Sequence, residues 1–381
     1  MATATHDASL VGPIGGIPAA AWDGLCPDGN PFLRHAFLAA LEDSGSAVAE
    51  AGWQPLHLTL GAPDSPTAAA PLYVKGHSYG EYVFDHGWAD AYERAGGRYY
   101  PKLLVAVPFT PVPGPRLLAP GDTLKLRLAA AIRGATDKLG LSSAHVNFAG
   151  EAEAALLEEE GFLRRRGIQF HWHNRGYRDF QDFLDTLRST KRKAIKKERA
   201  AVAASGVEIR TLTGDDLTEA DLAAFHPFYV ATVDKRWGSA YLTADFFRRL
   251  ARSFAERIVL VTVRQGGKLV GAALNLRSGD TLYGRLWGCR REVEFLHFEA
   301  CYYRAIDFAI QHGLARVEAG AQGMHKLQRG YEPVFTHSAH YIRDPGLREP
   351  VRRFLRQESK AQAAELVELR GMLPFHREHE G

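Results

Sequence analysis

The order of segments along the chain constrains its fold more than any single motif. Residues 22–43 turn helical, with Asn30 and Pro31 as a start signal and Gly45 as a stop. WQPLHLTLGA and TAAAPLYVKGHS, around a Gly/Pro/Asp turn, read as a hairpin, and EYVFD as a further extended run. WADAYERAG is helical, and KLLVAVPFTPVPGPRLL is a strand broken by prolines that belongs on an edge or in a loop. A helix over 123–139, the strand SSAHVNF, a helix over 151–160 and the strand material GFLRRRGIQFHWHNRG complete this half. After a long basic helical stretch the same order returns. VEIRTLT is a strand, DLTEADLAAFHPFYVATVDKR and YLTADFFRRLARSFAE are helices, and RIVLVTVRQGGKLVGAALNLRSGDTLYGRLWG is a three-strand meander. FEACYYRAIDFAIQHG, ARVEAG, MHKLQRG and VFTHSAHYI then read as helix, strand, short helix and strand, and a charged helix closes the chain. No short repeat recurs, which excludes a solenoid. The expected fold class is α+β: two tandem domains of mostly antiparallel mixed sheet flanked by helices.

The expected division is a flexible arm over 1–20, a first domain over 21–170, a basic helical connector over 171–205, a second domain over 206–345 and a charged helix over 346–381. At 46% hydrophobic and 24% charged residues, the 381-residue chain is neither disordered nor fibrous. Its net charge is 47 − 44 = +3, so a polyanion site must be local rather than a global field. Cys26, Cys289 and Cys301 are too few and too scattered for a disulfide framework or a zinc ribbon. No window approaches 18 uninterrupted apolar residues, and the N-terminus lacks the basic and apolar regions of a secretory signal. A cytoplasmic protein with no membrane span is expected.

Three segments carry candidate chemistry. In GHSYGEYVFD, Gly76, Ser78 and Gly80 match the G-x-S-x-G elbow of serine hydrolases, but EYVFD reads as extended where that motif needs a helix. The alternative is a glycine-rich turn presenting His77, with Glu81 and Asp85 on one strand face as catalytic carboxylates that take a proton from an attacking ammonium. In EAGAQGMHKLQRG, a strand end runs through Gln322 and Gly323 into a helix whose His325 and Arg329 share a face beside Lys326. Such a place can hold an oxyanion, carboxylate or phosphate, and His325 is the third catalytic candidate. Lys191, Arg192, Lys193, Lys196, Lys197 and Arg199 form a dense cationic run with Arg192, Lys196 and Arg199 on one helical face, suited to phosphate or nucleic acid or simply to solvent. Further substrate-binding candidates are Tyr100, Lys102, Arg236, Trp237, Arg285 and Glu299. His171 and His173 lack a third ligand at metal spacing, and no P-loop is present, so neither a metal nor nucleotide hydrolysis is expected.

The segments NPFLRHAFLAALEDSG, KGHSYGEYVFDHGWADAY, YYPKLLVAVPFTPVPGPRLL, RKAIKKER and GMHKLQRGYEPVFTHSAHY resemble the Fem-like (FemAB-like) N-acyltransferases of bacteria, over about residues 20–375. The resemblance implies a tandem general-control-type N-acetyltransferase (GNAT-like) fold and transfer of an acyl or aminoacyl group to an amine. It names neither donor nor acceptor. CoA users of this fold carry an R/Q-x-x-G-x-G/A loop, and this chain reads LWGCRREVEFLHFEA in its place. That shifts the expected donor from acyl-CoA towards aminoacyl-tRNA, with the donor as co-substrate and no tightly bound cofactor. The rival readings are a serine hydrolase using Ser78 and a non-catalytic RNA- or peptide-binding relative.

Overall fold

Prolines decide where the strands of the first sheet stop. Pro101 and Pro108 lie just outside the strand Lys102–Val105, so every N–H inside it is free to pair. It therefore sits in the sheet interior, between Leu72–Lys75 (antiparallel) and Ser143–Ala149 (parallel), and the edge position expected of it is corrected. The computed structural model describes residues 8–26, 29–236, 238, 240–291, 293–320 and 323–376.

The chain divides into two compact units: the residues up to Gly167 with Phe335–Ala364, and Ile168–Val334 with the residues from Glu365. In the first unit the strands run in the order Trp53–Pro55, Leu72–Lys75, Lys102–Val105, Ser143–Ala149 and then the later part of Glu332–Ile342. A parallel pair needs a crossover, supplied here by the helix Asp122–Lys138. Its Leu128, Ala129 and Ile132 pack on Leu103, Val105, Ala144 and Val146 as one apolar core. A second sheet pairs Ala8–Val11 with His57–Leu60 and that strand with Ala68–Ala70.

The segment 8–20, expected to be part of a loose arm, is thus built into the fold. The Ile14 side chain is fully buried and its N–H donates to Glu42 Oε2 at 2.7 Å.

The second unit repeats the scheme. Glu208–Thr213, Ile258–Gln265, Lys268–Arg277 and Thr281–Cys289 form an antiparallel meander, and Arg316–Glu318 adds a parallel strand. The crossover is helical: Leu296–Phe298, a π-turn at Glu299–Tyr303, then Arg304–Gln311. The place beside Arg316–Glu318 is taken by 171–173 of the strand Leu163–His173. Both units thus take a strand from distant sequence, since 337–342 fills the matching place beside Ser143–Ala149. The residues 171–205 are not a separate connector. Ile195 and Val202 of the helix Ser189–Ala204 are each 2% exposed, packed into the second unit.

Candidate active site

Between the strand Leu72–Lys75 and the helix His86–Arg94 the chain forms an irregular loop over 76–85, and the extended strand expected of EYVFD is absent. Gly80 has φ 79°, and Tyr82 takes φ 59°, a left-handed conformation that costs a bulky residue about 1–2 kcal/mol. This breaks the two-residue alternation. Glu81 and Asp85 turn inward, while Tyr79 and Phe84 point to solvent.

Both carboxylates meet Lys102, which has no exposed surface. Its Nζ donates to Ser78 Oγ at 2.7 Å, Glu81 Oε2 at 2.9 Å and Asp85 Oδ2 at 2.5 Å. Burial pulls the Lys102 ammonium down, but Glu81 and Asp85 outweigh it and hold its pKa above the ordinary lysine range. Burial would raise Asp85; Lys102, then His145, overcome it and keep that carboxyl well below the usual range. Glu81 goes the other way. Burial raises its pKa to about 7 despite Lys102, and the Asp85 charge adds to the rise. The two carboxylates thus separate in role: Asp85 is a fixed anion, and Glu81 is poised to exchange a proton near neutrality. Glu81 Oε1 and Asp85 Oδ1 have no hydrogen-bond partner.

Further side chains hold this triad in place. Tyr99 donates to Asp85 Oδ2 at 2.7 Å, and Ser78 Oγ lies 2.8 Å from the Tyr100 hydroxyl. His145 Nδ1 and His340 Nδ1 are 2.7 Å apart, with His145 Nε2 at 3.7 Å from Asp85 Oδ2. Burial, then Lys102, pushes His145 down to about 3. Lys75 donates to the Tyr79 carbonyl at 3.3 Å and lies 3.7 Å from the Trp53 ring centre; burial lowers its pKa to about 7. Lys102, expected to meet substrate, is instead an internal counterion that positions the carboxylates.

The second unit holds the remaining candidates. Lys326 is buried, its Nζ donates to the Gly320 carbonyl at 2.8 Å, and burial lowers its pKa to about 7. His325 Nε2 lies 2.8 Å from the Tyr302 hydroxyl. The helix there is 3₁₀ (Met324–Arg329), so a four-residue spacing does not share a face; Arg329 Nη1 instead donates back to the His325 carbonyl. Arg329 is consumed internally, by Glu198 at 2.9 Å and the Tyr303 hydroxyl at 2.9 Å, with its guanidinium 3.4 Å from the Phe298 ring centre. Gly323 has φ 113°, and a Cβ there would come within 2.4 Å of the His325 ring. Glu299 is buried between Arg199 and Arg304, and Arg285 is half-buried on the strand Thr281–Cys289. Trp237, Gln322 and the side chain of Arg236 lie outside the described residues.

The basic helix divides by face. Arg199 binds Glu299 at 3.1 Å and Asp307 at 2.7 Å and covers the Phe180 ring. Arg192 pairs with Asp185 at 3.4 Å, and Lys191 is half-buried. Lys193, Lys196 and Lys197 stand exposed, so the solvent-facing cationic row is not the Arg192, Lys196 and Arg199 face expected from spacing.

His145, His340 and Lys75 were not among the expected site residues. The two histidines are 195 residues apart, and nothing local in the sequence pairs them. Among the described residues no His/Cys/Asp/Glu group is arranged to hold a metal.

A family model, FemAB-like, described as peptidoglycan biosynthesis/recognition, matches residues 13–377. The chain belongs to the FemAB-like family. Acyl transfer to an amine is the reaction class of this FemAB-like protein. Among solved structures it is similar to FemX, with 12% identity, a TM-score of 0.54, and 88% of this chain and 98% of that chain covered. It is also similar to L-PGS from Bacillus licheniformis, with 10% identity, a TM-score of 0.51, and 86% and 98% covered. These likenesses confirm the fold as tandem acyltransferase-type. No curated protein matches the sequence. The serine-hydrolase alternative finds no support: Ser78 Oγ partners Lys102 and Tyr100, not a histidine. Among the described residues no helix is long and apolar enough to cross a membrane.

Proposed function

We propose that this protein transfers an aminoacyl group from aminoacyl-tRNA to the amine of a cell-wall precursor, with Glu81 as general base. The observation that carries the base assignment is the Glu81–Lys102–Asp85 cluster. It pairs a carboxyl held near pH 7, with an oxygen free of partners, to a carboxylate held ionised by the same lysine. The amine nitrogen attacks the ester carbonyl and forms the N–C bond. Its proton passes to Glu81, the C–O bond breaks, and the departing ribose oxygen takes that proton back from Glu81, which regenerates the base. Oε1 is buried beneath the loop, so the reaction requires the 76–85 segment to part when substrate binds. A base matched to the working pH contributes about 10²–10⁴-fold.

Two observations favour tRNA over CoA as donor. The glycine loop that cradles a pyrophosphate is missing from the sequence, and three exposed lysines project from one helix. The description of the family, peptidoglycan biosynthesis/recognition, supports a cell-wall acceptor. A donor screen tests the reading: charged tRNAs and acyl-CoA esters are offered with amine-bearing peptidoglycan precursors. Amide formation from charged tRNA supports it. Amide formation from CoA esters alone overturns the donor assignment.

A further inference from the structure

On the outer side of the 76–85 loop four rings stand in series. His77 and Tyr79 have ring centres 5.2 Å apart, Tyr79 and His86 5.7 Å, and His86 and Phe84 6.2 Å with planes inclined by 28°. Tyr79 is 71% exposed and Phe84 56%. Large exposed aromatics in contact with one another forgo burial. They are nonetheless held in place. The Tyr79 carbonyl accepts from buried Lys75, and the Phe84 carbonyl accepts from Arg165 Nη1 at 2.6 Å. Arg165 is itself fixed by Glu358 at 2.7 Å. His77 Nδ1 accepts from the Tyr79 N–H at 3.2 Å, and burial, then Lys75, lowers its pKa, so this ring is neutral. Two carbonyls of the segment that carries the rings are therefore anchored, so the rings keep their spacing along it.

We infer that the His77–Tyr79–His86–Phe84 ladder is a stacking platform for a nucleobase, the adenine that ends the acyl donor. This rests on the acyl-transfer reading and deepens it. Aminoacyl-tRNA and acyl-CoA both carry an adenosine: in aminoacyl-tRNA its ribose bears the acyl ester, and in acyl-CoA it lies at the end remote from the thioester. The exposed faces are inclined to one another, Tyr79 by 49° and Phe84 by 28° to His86, and stacking on such faces tolerates any base, which suits a ligand whose identity is set by its acyl group. It lies on the loop whose inner side carries Glu81 and Asp85, so one short segment holds the end of the donor and the proton acceptor. Base–aromatic stacking of this kind is worth roughly 5- to 150-fold in affinity per base.

Equilibrium binding of unreactive probes separates this inference from the reaction. The probes are a CCA-ended RNA hairpin, the same hairpin with its terminal base removed, CoA, and a uridine-diphosphate sugar. The expected result is that wild-type protein binds an adenosine-ended probe, and that removing the base, Tyr79→Ala or Phe84→Ala each weaken it at least 5-fold. Tyr79→Phe should bind as wild type. The hairpin and CoA arms identify which adenosine is used. Equal binding with and without the terminal base, unchanged binding by Tyr79→Ala and Phe84→Ala, or no binding of either adenosine probe to wild type overturns the inference. So does loss of the uridine-diphosphate sugar alone, which would place the acceptor on the ladder. Transfer activity measured on the same variants reports separately on the reaction.

Discussion

Lys102 is buried with two carboxylates at 2.9 and 2.5 Å, so its removal leaves two charges facing each other without a counterion. Breaking a buried pair from one side costs about 3–5 kcal/mol. Lys102→Met should therefore lower the denaturant midpoint steeply, and adding Glu81→Gln and Asp85→Asn to it should recover part of the loss. An unchanged midpoint would mean the cluster contributes nothing to the fold. Ser78→Ala should retain most transfer activity, and a serine-directed probe should leave Ser78 unlabelled. The pH dependence of stability follows from opposing groups. Buried His145 and His340 stay neutral in the folded protein, while unfolded histidine takes up a proton near pH 6.5. Their stabilisation is complete above that pH and is lost as the pH falls below it. Glu81, raised to about 7 from 4.5, does the reverse: its penalty is present above about 7 and fades on acidification. Glu81→Gln removes this opposition, so the variant should lose stability more steeply than wild type between pH 6.5 and 5 in thermal melts.

At the scale of elements, the basic helix Ser189–Ala204 shows what spacing can and cannot tell. The stretch reads as one long helix from 178 to 206, and the structure breaks it between Phe180–Asp185 and Ser189–Ala204. A helix through the run STKRKAIKKERAAVAA was legible, and so was its density of charge. Which cations remain available was not, because Glu299 and Asp307, about a hundred residues later, take Arg199. Lys193, Lys196 and Lys197 are the exposed set. Changing them to Glu should leave stability within about 0.5 kcal/mol, as surface substitutions do. It should also lower the salt slope of RNA binding by roughly one for each phosphate no longer neutralised. Salt slopes unchanged by all three would show that the helix does not touch nucleic acid. The Lys102 strand teaches a related lesson: a proline-rich segment reads as an edge until it is clear that Pro101 and Pro108 flank the four paired residues. EYVFD misled for the opposite reason. Its alternation is regular and puts Glu81 and Asp85 on one side, as they are, but the positive φ of Gly80 and Tyr82 makes the segment an irregular loop rather than a strand.

For the whole molecule, the repeated order of helix, meander, crossover helix and strand was readable because each element carries its own periodicity. The exchange of strands was not. Leu163–His173 and Glu332–Ile342 look like ordinary terminal strands, yet 171–173 pairs in the second unit and 337–342 in the first. A division made along the chain therefore does not return 335–364 to the first unit. The same return brings His340 to His145 and so completes the surroundings of Asp85. The role proposed for Glu81 is to take the proton of the attacking amine. Its sharpest test is the pH dependence of kcat for amide formation by wild type and Glu81→Gln. Wild type should show kcat rising through about pH 7, and Glu81→Gln should lose that rise together with about 10²–10⁴-fold in kcat at little change in KM. A Glu81→Gln enzyme with near wild-type kcat and the same rise through pH 7 would show that the base lies elsewhere.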